Sequence, residues 1–119
     1  MCVNVLLADD AEVVRKAIRK LLSERKELKV AGEAATFPEV LQKATELKPD
    51  EIVIDLHIPG DGFSTQFPNG HKLLAMSVAN DDGAKELAQR IGAMKLLDKM
   101  KLADELIPAL LEQATSHRN

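Results

Sequence analysis

Apolar and polar positions along the chain alternate in two rhythms. Short, nearly continuous apolar runs occupy Val3 to Ala8, Leu28 to Ala34, Glu51 to Leu56, Lys72 to Val78 and Met94 to Asp98. Runs of this length, rich in Val, Ile and Leu, read as strands buried on both faces. Between them the period lengthens. Val13, Val14, Ala17, Ile18, Leu21 and Leu22 recur at helical spacing, with Arg15, Lys16, Arg19, Lys20 and Glu24 on the other side. That is an amphipathic helix with a solvated basic face. A second helix opens at Thr36, with Glu39 at capping-box spacing and Pro38 in the first turn. It carries Val40, Leu41, Ala44 and Leu47 on its inner side, and Pro49 ends it. Asn80-Asp81-Asp82 caps a third helix with Ala84, Leu87, Ala88 and Ile91 inward, and Gly92 supplies a left-handed stop. The last helix runs from Leu102 to about Ala114, with Pro108 a local irregularity, and residues 115–119 read as a frayed tail.

Buried strands alternating with helices predict an α/β domain: a parallel sheet with helices on both faces. The flavodoxin-like order 2-1-3-4-5 is the expected one for five strands, with ligands bound beyond the carboxyl ends where the order reverses. One stretch breaks the rhythm. Residues 57–71 hold Pro59, Gly60, Gly62, Pro68 and Gly70, which oppose regular structure. A parallel crossover needs a dozen or more residues, so these can bridge two strands without a full helix. The third of the usual crossover helices is expected to be missing, or cut to one turn near Ser64–Phe67, with Phe63 and Phe67 over the sheet. Apolar sheet left bare there would favour a homodimer.

Composition narrows the class. The chain has 119 residues, 45% of them hydrophobic, enough for one domain over 1–119 with its own core. Its net charge of −3 leaves no electrostatic footprint for nucleic acid or anionic lipid. Cys2 is the one cysteine, a small apolar residue at a strand start in a chain suited to a reducing compartment. There is no signal-peptide pattern and no run long enough to span a membrane, so a soluble, cytoplasmic protein is expected. Met76 and Met94 read as core filler.

Chemistry concentrates at the expected carboxyl edge. Asp9 and Asp10 follow the first strand, Asp55 lies near the end of the third, Ser77 near the end of the fourth, and Lys99 after the fifth. Each has a plain explanation alone: a helix cap, a turn former, a buried hydroxyl, a solvated lysine. Together they describe a crevice of three carboxylates, which repel one another unless a cation neutralises them. Mg²⁺ (or Mn²⁺) suits such oxygen donors and accepts a phosphate oxygen as well. A carboxylate can take a phosphoryl group as an acyl phosphate, with Lys99 and the Ser77 hydroxyl meeting the phosphoryl oxygens. Asp98, beside Lys99, is expected on the opposite face.

Leu6-Leu7-Ala8-Asp9-Asp10, Val53-Ile54-Asp55-Leu56-His57-Ile58-Pro59-Gly60, Ala75-Met76-Ser77 and Leu97-Asp98-Lys99 together resemble the response-regulator receiver domains of two-component systems. The resemblance spans nearly the whole chain. It implies Asp55 as phosphoacceptor, Asp9 and Asp10 as acidic metal residues, Ser77 as switch hydroxyl and Lys99 as active-site lysine. It implies the main-chain carbonyl of His57 as a further metal ligand. The partners it implies are a sensor histidine kinase or phosphotransfer protein as donor and a downstream protein as target, the chain itself being a phosphoacceptor and not an enzyme. With nothing after the last helix, no DNA-binding output domain is expected.

The departures matter too. Asp55 and Ser77 lie 22 residues apart, shorter than the family pattern by about two helical turns. Val78 stands where a smaller residue is common, which would crowd the phosphoryl pocket, slow small donors and prolong the acyl phosphate. Leu96 replaces the usual aromatic switch residue. Met100 replaces a proline, so a cis bond is not expected there. An alternative reading is a degenerate receiver serving as a phosphorylation-independent dimerisation module. An aspartate-nucleophile phosphatase would want a second acid where His57 stands.

Overall fold

A computed structural model describes residues 2–60, 71–78 and 81–115. Its strands are β1 (Val3–Ala8), β2 (Leu28–Ala34), β3 (Glu51–Asp55), β4 (Lys72–Ser77) and β5 (Lys95–Asp98). Its helices are α1 (Glu12–Leu22), α2 (Phe37–Leu47), α3 (Asp82–Arg90) and α4 (Leu102–Ala114), with a 3₁₀ turn over Lys99–Lys101. All strand pairs are parallel and the sheet order is β2-β1-β3-β4-β5. The flavodoxin-like fold expected from the pattern is the fold observed, and its four helices lie on both faces. No described helix is long and apolar enough to cross a membrane.

Alternation along the strands feeds two cores. Leu6, Ile52, Ile54, Leu73 and Ala75 face one way and pack with Phe37, Val40 and Ala44 of α2 and with Ala88 and Ile91. Val5, Leu7, Val53, Leu74, Met76 and Leu97 face the other way and pack with Ile18 and Leu22 of α1 and Leu106 and Leu110 of α4. α4 continues through Pro108 without a break in its span.

Local signals behave as their chemistry dictates. Thr36 Oγ1 accepts from Glu39 N at 3.3 Å, while Glu39 Oε1 reaches back to Ala35 N at 2.9 Å, one residue beyond a strict capping box. Asp81 Oδ1 caps α3 by accepting from Ala84 N at 2.9 Å. Gly92 has φ +81°, the left-handed stop. Gly60 has φ +127°, and a Cβ there would lie 2.6 Å from Pro38 Cδ, so only glycine lets the chain after β3 pass the start of α2. The Phe37 N–H donates to the Pro59 carbonyl at 2.7 Å at that passage.

Five expected core positions are corrected, among them Ala17 and Val78, both exposed. Val13 is 74% exposed: five residues before Ile18, it lies about 140° round the helix from the buried stripe. Leu47 is 41% exposed. It ends α2 over Gly32 of β2, an edge strand with one neighbour. Met94 is 39% exposed, since β5 starts only at Lys95. Met76, by contrast, is fully buried.

Among the described residues no helix lies between β3 and β4. Gly62, Phe63, the Ser64–Phe67 turn, Pro68 and Gly70 fall outside the described residues. The apolar side chains of β4 are nevertheless buried, Leu73 and Ala75 included, and Leu56 and Ile58 join the same cluster. No bare apolar strip of sheet is found among the described residues of β3 and β4.

Leu106 is fully buried where α4 meets β5 and α1. Leu106→Ala is expected to cost about 3 kcal/mol in urea unfolding, the transfer loss plus the cavity left behind. A loss below about 1 kcal/mol would contradict this packing.

Candidate functional site

Four strands bring their carboxyl ends together. β1 and β3 are direct neighbours, with Ala8 paired to Ile54, so the residues that follow, Asp9 and Asp55, leave the sheet side by side. β4 flanks β3 with Met76 opposite Asp55, and β5 flanks β4 with Asp98 opposite Ser77. The chain then turns sharply. Asp98 Oδ1 accepts from Met100 N at 2.8 Å, capping the 3₁₀ turn on which Lys99 sits. Asp98 is thus engaged in its own turn, away from the carboxylate cluster. The described peptide bonds are all trans, that between Lys99 and Met100 among them.

The expected constellation assembles. Carboxylate oxygens of Asp9, Asp10 and Asp55 all lie within 4.8 Å of one another. Asp9 and Asp55 are buried and Asp10 is exposed. Lys99 Nζ stands 2.6 Å from Asp9 Oδ2 and 3.2 Å from Asp55 Oδ2. Ser77 is fully buried at the end of β4, one residue past the partner of Asp55. Two amides fix the acids: Asp9 Oδ1 accepts from Ala11 N at 2.9 Å, and Asp55 Oδ1 accepts from His57 N at 3.1 Å. The second bond holds the 55–57 turn, with His57 itself exposed.

The electrostatics follow from burial. Desolvation works against the Lys99 charge, but its contact with Asp9 and the charge of Asp55 outweigh it and raise its pKa above that of an ordinary lysine. The ammonium is therefore permanent at physiological pH. Three carboxylates and one ammonium leave two negative charges, the complement of one divalent cation. Asp9 Oδ2 is buried and, among the described residues, is met by the Lys99 ammonium alone, at 2.6 Å. A lone pair is left for a metal, and an all-oxygen donor set suits a hard ion. Asp9, Asp10 and Asp55 thus fit Mg²⁺.

Sequence reasoning missed Arg15, which it placed on the solvated face of the first helix. Its side chain is only 15% exposed. Nη1 donates to the Asp9 main-chain carbonyl at 2.6 Å and Nε to Glu33 Oε1 at 2.9 Å. Arg19 also binds Glu33, at 2.6 Å, and Lys43 donates to the Glu33 carbonyl. Burial pushes the Glu33 carboxyl up, but the two arginines prevail and hold it below its usual range. The network fastens α1 and α2 to the end of β2 and steadies the backbone that carries Asp9. The signal was an arginine one turn into α1 and a lone acid near the end of a buried strand, legible only once β2 and α1 are known to be adjacent.

The family model for the response regulator receiver domain matches residues 5–111. The Response regulator GacA of Pseudomonas viridiflava is 31% identical over 114 residues, covering 91% of this chain and 53% of that protein. The Transcriptional regulatory protein LnrK of Bacillus subtilis is 29% identical over 115 residues, covering 92% of this chain and 52% of its own length. The chain therefore spans about half the length of these curated relatives. Among solved structures, the response regulator domain of Thermotoga maritima CheB superposes with a TM-score of 0.85 at 22% identity, over 99% of this chain and 100% of that one. The signal receiver domain of the putative response regulator NarL from Mycobacterium tuberculosis gives 0.85 at 25% identity, over 98% of each.

Lys99 is the only cation the described residues place within 4 Å of the buried Asp9 and Asp55 carboxylates. Lys99→Met is expected to cost about 3 kcal/mol at neutral pH, because two buried charges lose their counter-charge. Urea unfolding at neutral pH checks this, and a loss below about 1 kcal/mol would contradict it.

Proposed function

The chain belongs to the response regulator receiver domain family, and from that premise we propose that it accepts a phosphoryl group on Asp55 in the presence of Mg²⁺ and signals by binding a partner. The observation that carries this reading is the Lys99 ammonium held between Asp9 and Asp55, at 2.6 and 3.2 Å, with a third carboxylate alongside. Phosphoryl transfer needs positioning and charge neutralisation more than covalent machinery, and both are built here by the backbone.

In the transfer, a carboxylate oxygen of Asp55 attacks phosphorus on a phosphohistidine of a sensor kinase or phosphotransfer protein. The O–P bond of an acyl phosphate forms as the P–N bond breaks, and the histidine leaves with the bonding pair. Asp9, Asp10, Asp55 and the His57 main-chain carbonyl would hold Mg²⁺ (or Mn²⁺), which would supply charge neutralisation at the phosphoryl oxygens. Lys99 meets one of those oxygens and the Ser77 hydroxyl donates to another. The Ala11 and His57 amides keep the two buried acids oriented, so little reorganisation accompanies the step. The chain is then substrate and catalyst of its own modification, without turnover of a separate substrate. A histidine-kinase donor and a downstream protein target imply a cytoplasmic setting. Leu96 is aliphatic, so the readout proceeds without rotation of an aromatic ring at that position.

The test is incubation with acetyl phosphate and Mg²⁺, read by intact mass. The expected result is a single phosphoryl adduct on the wild type, none on Asp55→Asn, and none when EDTA removes the metal. With Val78 beside Ser77, the adduct should decay slowly, and Val78→Ala should shorten its lifetime several-fold. An adduct surviving in Asp55→Asn would overturn the assignment.

A further inference from the structure

At the opposite end of the sheet from the acidic crevice, β3 begins with a residue that none of the chemistry above uses. Glu51 is fully buried. Its Oε1 accepts a hydrogen bond from Nε2 of Gln113, itself buried in the last turn of α4, at 2.6 Å. Two atoms of this pair, Glu51 Oε2 and Gln113 Oε1, have no hydrogen-bond partner among the described residues. Both are acceptors when the carboxyl is ionised. A buried acceptor without a donor costs free energy, and a buried unpaired charge costs more.

One proton removes both defects. On Glu51 Oε2 it provides the donor that Gln113 Oε1 lacks, and the acid and the amide close a ring of two hydrogen bonds. We propose that Glu51 and Gln113 form a proton-binding latch: the protonated carboxyl fastens the last turn of α4 to the start of β3, and loss of the proton releases it.

The surroundings set where the latch works. Burial pushes the Glu51 carboxyl up to about 7, opposed by the Gln113 hydrogen bond and by the Lys72 ammonium on β4 and assisted by Asp50. The recess beside it, about 460 Å³, is also lined by Cys2, Lys48 and His71, while Glu112 next to Gln113 is exposed. Lys72 Nζ donates to the Gln113 main-chain carbonyl at 2.8 Å, a second tie between β4 and the same helical turn. An ionised Glu51 would compete with that carbonyl for the ammonium, so both ties weaken together. The sign follows from the raised value. The protonated pair contributes its stability below the unfolded carboxyl range near 4.5, and the contribution is lost as pH rises through about 7. Glu51 and Asp55 are the two ends of one five-residue strand, so the latch and the phosphoacceptor share a rigid element.

The latch stands apart from the phosphoryl reading and is tested without it. Carboxyl ¹³C shifts and backbone amide shifts are followed by NMR from pH 5 to 9 on the whole chain. The expected result is a Glu51 midpoint near 7, with the amides of Leu110 to Ala114 shifting at that midpoint. In Glu51→Gln, whose amide can form the same ring at any pH, those amides should hold the low-pH positions throughout. A Glu51 midpoint near 4.5, or a midpoint near 7 with the end of α4 unmoved, would overturn the proposal.

Discussion

A lysine ammonium wedged between two buried carboxylates is costly to build and costly to lose. Desolvation penalises each charge separately, and their attraction offsets the penalty only if the geometry is fixed. Lys99, Asp9 and Asp55 come from chain segments far apart in sequence, so the fixing falls to the sheet. β1 and β3 must be neighbours, β4 must stand one strand further out, and the chain after β5 must turn back over the edge. The observed order and register meet each condition, and the amides of Ala11 and His57 hold the remaining oxygens.

The two ends of the sheet make an instructive contrast. At the carboxyl end, the buried Asp9 and Asp55 and the exposed Asp10 face a single ammonium. On the function proposed above, a divalent cation and a phosphoryl group would complete the crevice. At the amino end, Glu51 and Gln113 lack a donor, but the defect is the size of a single proton. The same rule, that buried polar groups seek partners, points to a dication in one place and a proton in the other.

Much of this could be read from the chain because it rests on period and punctuation. Buried strands appear as short apolar runs, Asp81 and Gly92 bracket α3 as capping chemistry requires, and the acids and lysine fall where strands stop. What could not be read depends on which elements touch. Val13 sits on the apolar side by composition but off the buried stripe by angle. Arg15 looked solvated until β2 placed Glu33 beside it. Glu51 opened a strand without comment, and its buried partner Gln113 lies 62 residues away. The crossover after β3 was expected to leave apolar sheet bare, yet Leu56 and Ile58, just past β3, lie buried in one cluster with Leu73 and Ala75 of β4.

The central claim is that the crevice carries two negative charges in excess and exists to hold a divalent cation. Thermal unfolding with increasing Mg²⁺ tests it most directly. Wild type should gain stability with ligand concentration, about 2.7 kcal/mol at a hundred times Kd, while Asp9→Asn and Asp10→Asn should gain much less. A wild-type melting curve indifferent to millimolar Mg²⁺, or variants that respond as the wild type does, would contradict the account.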